Sequence, residues 1–294
     1  MTGAPAAAIL RSNGHQTHRA GTMRPLILLL AFLAGPALAA SAEVRPAPRP
    51  APSALPVLVL DPGHGGRDPG ARTGTGADRV TEADLMLDFA REVADAVAAT
   101  RVFEVRLTRD ADVYVPLEGR LAAAQDAGAA AFVSLHADAL PDGAGLARGA
   151  TVYTLADGAG DAASRRLVER HERAGLPDAA ALSAADGDEI ALVLLDLART
   201  ETGPRADALG DAILDAFRAD GLAVAGRPRR AANFSVLKSA AIPSVLVELG
   251  FLSSDTDRTR LATPEGRAPA AAALARALAG WWAEDAERRA LRGR

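Results

Sequence analysis

The chain has 294 residues, 33 Lys and Arg against 37 Asp and Glu for a formal charge of −4, and 49% hydrophobic residues. That balance excludes a strongly basic nucleic-acid binder and describes a globular chain long enough for one large domain or two small ones. It has no cysteine, which excludes disulfides, thiolate metal sites and cysteine nucleophiles, so a metal would have to sit on His, Asp or Glu.

Near the N-terminus, Arg24 precedes the apolar run from Pro25 to Leu33 and then the small-residue stretch from Ala34 to Ala42. This is the basic, apolar and cleavage-site order of a secretory signal, so residues 1–42 are expected to direct export and to be removed after Ala39 or Ala42. The apolar run is well short of the roughly 20 residues of a membrane span, which argues against a permanent membrane anchor. Residues 1–22 are long for a leader, and a start at Met23 gives one of ordinary size. Residues 43–56 hold too many prolines for a helix or central strand and read as an extended linker. A single domain is expected over 57–290.

Within it, apolar runs of strand length alternate with helical periodicity. Val57 to Leu60 reads as a buried strand stopped by Asp61-Pro-Gly-His64-Gly-Gly. Met86, Phe89, Val93 and Val97 lie three or four apart and predict a helix over 81–99 with Thr81 as N-cap. Then follow a strand at 104–108, a helix at 117–126, a buried strand at 131–135 ending in His136, and a strand at 151–155. Two or three helices fill 161–220, a strand at 244–249 carries Glu248, and a helix runs from about 264 to 287. This alternation predicts an α/β fold, one domain whose twisted, mostly parallel mixed sheet is flanked by helices.

In such sheets function gathers at the carboxyl ends of the strands, where this pattern puts His64, His136 and Glu248. Beyond the leader the chain has three histidines, His64, His136 and His171. A lone strand-end histidine is ordinarily structural. Two at equivalent ends, with Glu82 opening the intervening helix, point to a His/Glu/His metal site, the donor set of a three-ligand zinc centre with one position open for water. Glycines at 63, 65 and 66 let the backbone turn sharply enough to aim His64 out of its strand.

Six segments in order resemble the zinc-dependent N-acetylmuramoyl-L-alanine amidases of peptidoglycan: Asp61-Pro-Gly-His64-Gly-Gly-Arg-Asp-Pro-Gly, Thr81-Glu82-Ala-Asp-Leu, Leu107-Thr-Arg109-Asp, Val115-Pro-Leu-Glu-Gly-Arg120, Phe132-Val-Ser-Leu-His136-Ala-Asp138 and Val245-Leu-Val-Glu248-Leu-Gly-Phe. The resemblance implies one Zn2+ per chain on His64, Glu82 and His136, with Glu248 as the catalytic base, acting in the periplasm on the lactyl amide of peptidoglycan. The bland alternative pairs Glu248 with Arg109 or Arg120. Those arginines are candidates for a stem-peptide carboxylate or for structural ion pairs. Asp138 either orients a ligand imidazole or solvates a loop. Asn233 and Lys238, the chain's single lysine, are weaker substrate-side candidates.

Residues 161–202 are long for a connection and resemble the helical regulatory insertion of cell-division amidases that stay inactive until a partner arrives. By position Glu172 would fill the open zinc site. The stripe Ile190, Val193, Leu194 and Leu197 is either the docking face of a protein activator or ordinary core packing. Two other readings share these residues: a zinc carboxypeptidase acting on stem peptides, and a non-catalytic wall-binding protein.

Overall fold

The computed structural model describes residues 55–74, 79–139, 148–156, 161–174 and 189–292, all within one compact unit. The expected leader and almost all of the linker lie outside the described residues. Among those described, no helix is long and apolar enough to cross a membrane.

The strands are β1 (Val57–Pro62), β2 (Arg72–Thr73), β3 (Val80–Thr81), β4 (Glu104–Leu107), β5 (Ala131–His136), β6 (Ala150–Leu155), β7 (Val224–Ala232) and β8 (Ser244–Glu248). Six of them form one sheet in the order β4-β1-β5-β8-β6-β7, while β2 and β3 make a separate two-stranded ribbon. β4, β1, β5 and β8 run parallel, β6 lies antiparallel to β8, and β7 parallels β6. The helices are α1 (Glu82–Thr100), α2 (Leu117–Asp126), α3 (Ala162–Ala174), α4 (Glu189–Ala219), α5 (Asp255–Leu261) and α6 (Pro264–Arg292).

Side chains alternate across the central strands, and both faces are covered. Leu58, Leu60, Val133, Leu135, Val245 and Val247 point into a core shared with α1, α4 and α6. Val59, Phe132 and Leu246 point into a second core that takes Ala124 of α2, Leu167 of α3 and the 3-10 turn Ser235–Leu237.

α1 starts where expected, because the Thr81 hydroxyl accepts from the Asp84 N–H at 3.1 Å. β7 is a departure: it lies where the sequence pattern assigned no element, and its Arg227-Pro-Arg-Arg stretch sits on the edge strand, where a missing N–H costs no ladder bond. α4 is a second departure. It runs unbroken through Gly203-Pro204, so the expected boundary at 202 falls inside one helix whose second half carries the core residues Leu209, Ile213, Leu214 and Phe217.

The arrangement that matters for function is at one edge. Parallel pairing sets Pro62 opposite Leu135 and His136 opposite Glu248. The carboxyl ends of β1, β5 and β8 therefore open side by side.

Candidate metal centre

Four side chains meet above those strand ends. One ligand atom each from His64, Glu82, His136 and His171 lies within 4.8 Å of all the others, and all four residues are buried. His64 comes from the loop after β1 and has a left-handed backbone, φ 60°, a conformation seldom taken by a non-glycine residue. Its Nδ1 lies 2.7 Å from Asp68 Oδ2, which fixes the ring and leaves Nε2 facing the cluster. Gly63 is required by space: a Cβ there would stand 2.5 Å from His136 Nε2.

Glu82 opens α1, where a carboxylate is favoured by the helix N-terminus. Its Oε2 accepts from Ala71 N at 2.9 Å and its Oε1 from Ala137 N at 2.9 Å, with His136 Nδ1 3.0 Å away. His171, from α3, stacks on His136 with ring centroids 4.2 Å apart. Glu248 is fully buried beside it, with Oε1 3.7 Å from His171 Nε2 and Oε2 accepting from Asp138 N at 3.0 Å.

These surroundings perturb the acids and bases strongly. Burial disfavours the His64 cation, yet Glu82 and Asp68 outweigh it and push the pKa up to about 10. Burial and the neighbouring imidazoles hold His171 well below its ordinary value, and burial lowers His136. Burial opposes ionisation of Glu82, but the two histidines prevail and keep it well below the usual range. Glu248 is driven well above it, first by burial and then by Glu82 and Asp138. Two buried carboxylates, one held low and one driven high, thus stand side by side.

The donor set fits a metal on a specific observation. His64 Nε2, His171 Nε2 and Glu248 Oε1 are buried with no hydrogen-bond partner, a state that native folds seldom leave unexplained. Two imidazole nitrogens aimed at a carboxylate and a third imidazole suit zinc better than the all-oxygen cations. The cavity beside the cluster, about 30 Å³ and walled in part by Tyr114, Val115, Leu117, Phe234 and Val236, is large enough for an ion or a water.

The sequence-based expectations fare unevenly. His64, Glu82 and His136 lie together with His171, and Glu248 lies beside His171. Glu172 does not join them: its carboxylate accepts from Ser235 N and Ser235 Oγ, both at 2.8 Å, and the preceding residue, His171, faces the cluster instead. Asp138 touches no ligand imidazole. Its side chain pairs with Arg170 and accepts from Ala139 N, while its backbone N–H holds Glu248.

Arg109 and Arg120 are buried and donate to the protein's own carbonyls and to Asp61, not to Glu248, though Arg120 also borders the cavity beside the cluster. Asn233 and Lys238 line a separate groove of about 980 Å³ with Leu197 and Thr202. Of the expected docking stripe, Leu197 is 64% exposed. Ile190, Val193 and Leu194 lie on α4, but their side chains are outside the described residues. Sequence reasoning missed His171 and Asp68. Both carried a signal, the one as the third histidine past the leader and the other as a carboxylate four residues after His64.

Residues 58–280 match the family model of N-acetylmuramoyl-L-alanine amidases (Amidase_3). The chain is 36% identical over 221 residues to N-acetylmuramoyl-L-alanine amidase AmiA of Escherichia coli (strain K12), covering 74% of this chain and 73% of that one. It is 35% identical over 222 residues to AmiC of Neisseria meningitidis, covering 75% of this chain and 51% of that relative. Among solved structures it is similar to AmiC2 of Nostoc punctiforme, with TM-score 0.52, 28% identity and coverage of 77% and 97%. The catalytic domain of CwlV from Paenibacillus polymyxa, at 23% identity and TM-score 0.54, shares the fold, covering 78% of this chain and 98% of its own. A mixed sheet whose strand ends gather two histidines, a glutamate and a buried second glutamate, together with these matches, places the chain in the N-acetylmuramoyl-L-alanine amidase family, as a peptidoglycan amidase.

Proposed function

We propose that this amidase depends on one zinc ion held by His64, Glu82 and His136, and that α3 closes its fourth coordination position with His171. The observation that carries the reading is the convergence of four ligand atoms from four separate elements beside the orphaned Glu248 Oε1. Zinc, when bound, lowers the pKa of a water and polarises the amide carbonyl.

The rest falls to the chain's own residues. Glu248 Oε1 takes the proton of the attacking water, while the Asp138 N–H keeps Oε2 fixed so that one oxygen faces the reaction. The raised pKa of Glu248 lets it hold that proton and return it to the leaving amine of L-alanine. Asp68 keeps His64 in the tautomer that offers Nε2.

The closed state follows from α3. His171 fills the opening, Arg170 pairs with Asp138, and Glu172 is tied to Ser235 on either side of it. With about 30 Å³ left, substrate enters only when α3 lifts, so on this reading the enzyme is exported to the periplasm silent and is released during cell separation or wall turnover by a protein activator. What supports export is the signal-like leader, and what supports an activator is the exposed Leu197 on the helix that follows α3.

Metal analysis of the purified chain should give about one zinc per molecule. Mass spectrometry of digested sacculi should give intact stem peptides and peptide-free glycan. Shortened peptides still attached to glycan would identify a carboxypeptidase instead.

A further inference from the structure

Two guanidinium groups converge on the backbone of the loop that carries His64. Arg109, just after β4, donates from Nε to Pro62 O at 3.0 Å, from Nη2 to Gly63 O and to Ala83 O at 2.8 Å each, and from Nη1 to Ala111 O at 3.1 Å. Arg120, on α2, donates from Nη1 to Pro62 O at 2.8 Å and to Asp61 Oδ1 at 2.6 Å, from Nη2 to His64 O at 2.7 Å, and from Nε to Val115 O at 3.0 Å. Three consecutive carbonyls, Pro62, Gly63 and His64, are therefore held from two sides. The Ala83 contact extends the hold to the residue next to Glu82.

This loop needs holding. His64 at φ 60° is followed by Gly65 at φ 123° and Gly66 at φ 59°, a run that glycines permit but do not fix. Gly63 N donates to Leu135 O at 3.0 Å and ties the loop to β5 one residue before His136. The segments bearing the three expected zinc ligands are thus locked through the loop backbone. A lysine could not replace either arginine, since each uses a planar fork of donors to reach carbonyls in several directions.

We infer that Arg109 and Arg120 are positioning residues that pre-form the metal site, fixing the His64 loop against the start of α1 and β5 before the ion arrives. The inference rests on the metal reading above. It differs from a general structural role in that removing the clamp makes metal binding order the loop, and so weakens affinity beyond any loss of stability.

The test compares zinc affinity, by competition with a chelator, in wild type, Arg109→Lys, Arg120→Lys and a control such as Val97→Ala, a core truncation in α1. The clamp variants should bind zinc 10- to 100-fold more weakly, in line with losses of outer-shell partners, while the control loses melting temperature and keeps its affinity. Clamp variants within about threefold of wild type, or a control that loses as much, would overturn the inference.

Hydrogen exchange of the metal-free protein supplies a readout that needs no ion. The Gly63 and Gly65 amides should exchange at least tenfold faster in Arg109→Lys than in wild type. Wild type that binds no zinc would sink the metal reading while this measurement still decides the clamp. Arg109→Lys breaks no carboxylate pair and carries the test alone should Arg120→Lys fail to fold. If neither folds, rapid exchange of these two amides in metal-free wild type refutes the clamp, and slow exchange upholds it.

Discussion

Gly63→Ala puts one methyl group against a ligand. The new Cβ would lie 2.5 Å from His136 Nε2, 2.6 Å from its Nδ1 and nearer still to Cε1, whereas ordinary contact begins at 3.4 Å. Cε1, at 2.2 Å, sets the requirement, and the ring must retreat by about 3.4 − 2.2 = 1.2 Å. Zinc–ligand distances tolerate shifts of only about 0.2 Å, so His136 is lost as a ligand. Retreat is itself resisted, because His136 is held by Glu82 Oε1 on one side and stacked on His171 on another.

Nothing in the Gly63 backbone forbids alanine, as its φ is not positive, so the effect is steric alone. Overpacking of this kind costs about 1–3 kcal/mol of stability, and zinc affinity should fall about 100-fold or more with the loss of a ligand. Chelator competition measures the affinity and thermal unfolding the stability. A Gly63→Ala protein with wild-type zinc affinity and turnover would refute the placement of His136 at the metal and the reasoning built on it.

Glu248→Gln removes the base while leaving the three expected zinc ligands, so it should retain zinc and lose about 10²- to 10⁴-fold in hydrolysis; near-normal turnover would return Glu248 to a packing role. His171→Ala opens the fourth position and should raise activity on purified peptidoglycan without a partner, unless wild type already digests sacculi as fast, in which case α3 does not inhibit. Asp61 sets an acid limit: burial would raise its pKa, but Arg120, Thr108 and Ser134 outweigh it and hold it below 3.8. Its contribution is therefore complete above the unfolded value near 3.9 and is lost as pH falls through the lower folded value. Asp61→Asn leaves Arg120 buried and unpaired, so it should be about 3–5 kcal/mol less stable than wild type at pH 7, with the gap closing below pH 4. A gap that stays constant to pH 2 would show that the pair contributes nothing through its charge.

How legible each part was depended on what made it fold. β1, β5 and β8 are buried on both faces and so appear as unbroken apolar runs, which places His64, His136 and Glu248 at strand ends without further help. β7 takes its pairing from the sheet edge, and its Arg and Pro content hides it. β2 and β3 are two residues each, too short for any periodicity.

Glu172 was the wrong neighbour for a reason the helix itself states. Ser164, Leu167 and His171 are spaced i, i+3, i+7 and form the buried face of α3, and Glu172 lies about 100° round the helix from His171, toward Ser235. The pairing of Arg120 with Asp61 realises the structural ion pair the sequence left open, but the other partners of Arg109 and Arg120 were illegible because they are carbonyls, which every residue carries and no side-chain pattern marks.

On the proposed reading α3 is the element that moves, and it is anchored in the core by few apolar side chains. The half of α4 from Leu209 to Phe217 and the length of α1 are sunk in the main core, whereas among its described residues α3 contributes one fully buried apolar side chain, Leu167, with Val168 partly covered. Exposing a leucine costs about 1.5–3 kcal/mol. Its polar ties include Arg170 to Asp138, Glu172 to Ser235, and, just before the helix, Asp161 to Arg230. A solvent-exposed pair such as Arg230 with Asp161 is worth about 0–1 kcal/mol, whereas the Arg170–Asp138 pair is largely buried. On the proposed reading, lifting α3 breaks these ties and withdraws His171 from the metal site. Moving such a helix from 1% to 99% open needs about 5.5 kcal/mol of differential binding, and only a partner that contacts the lifted state, not one that binds both states alike, can provide it.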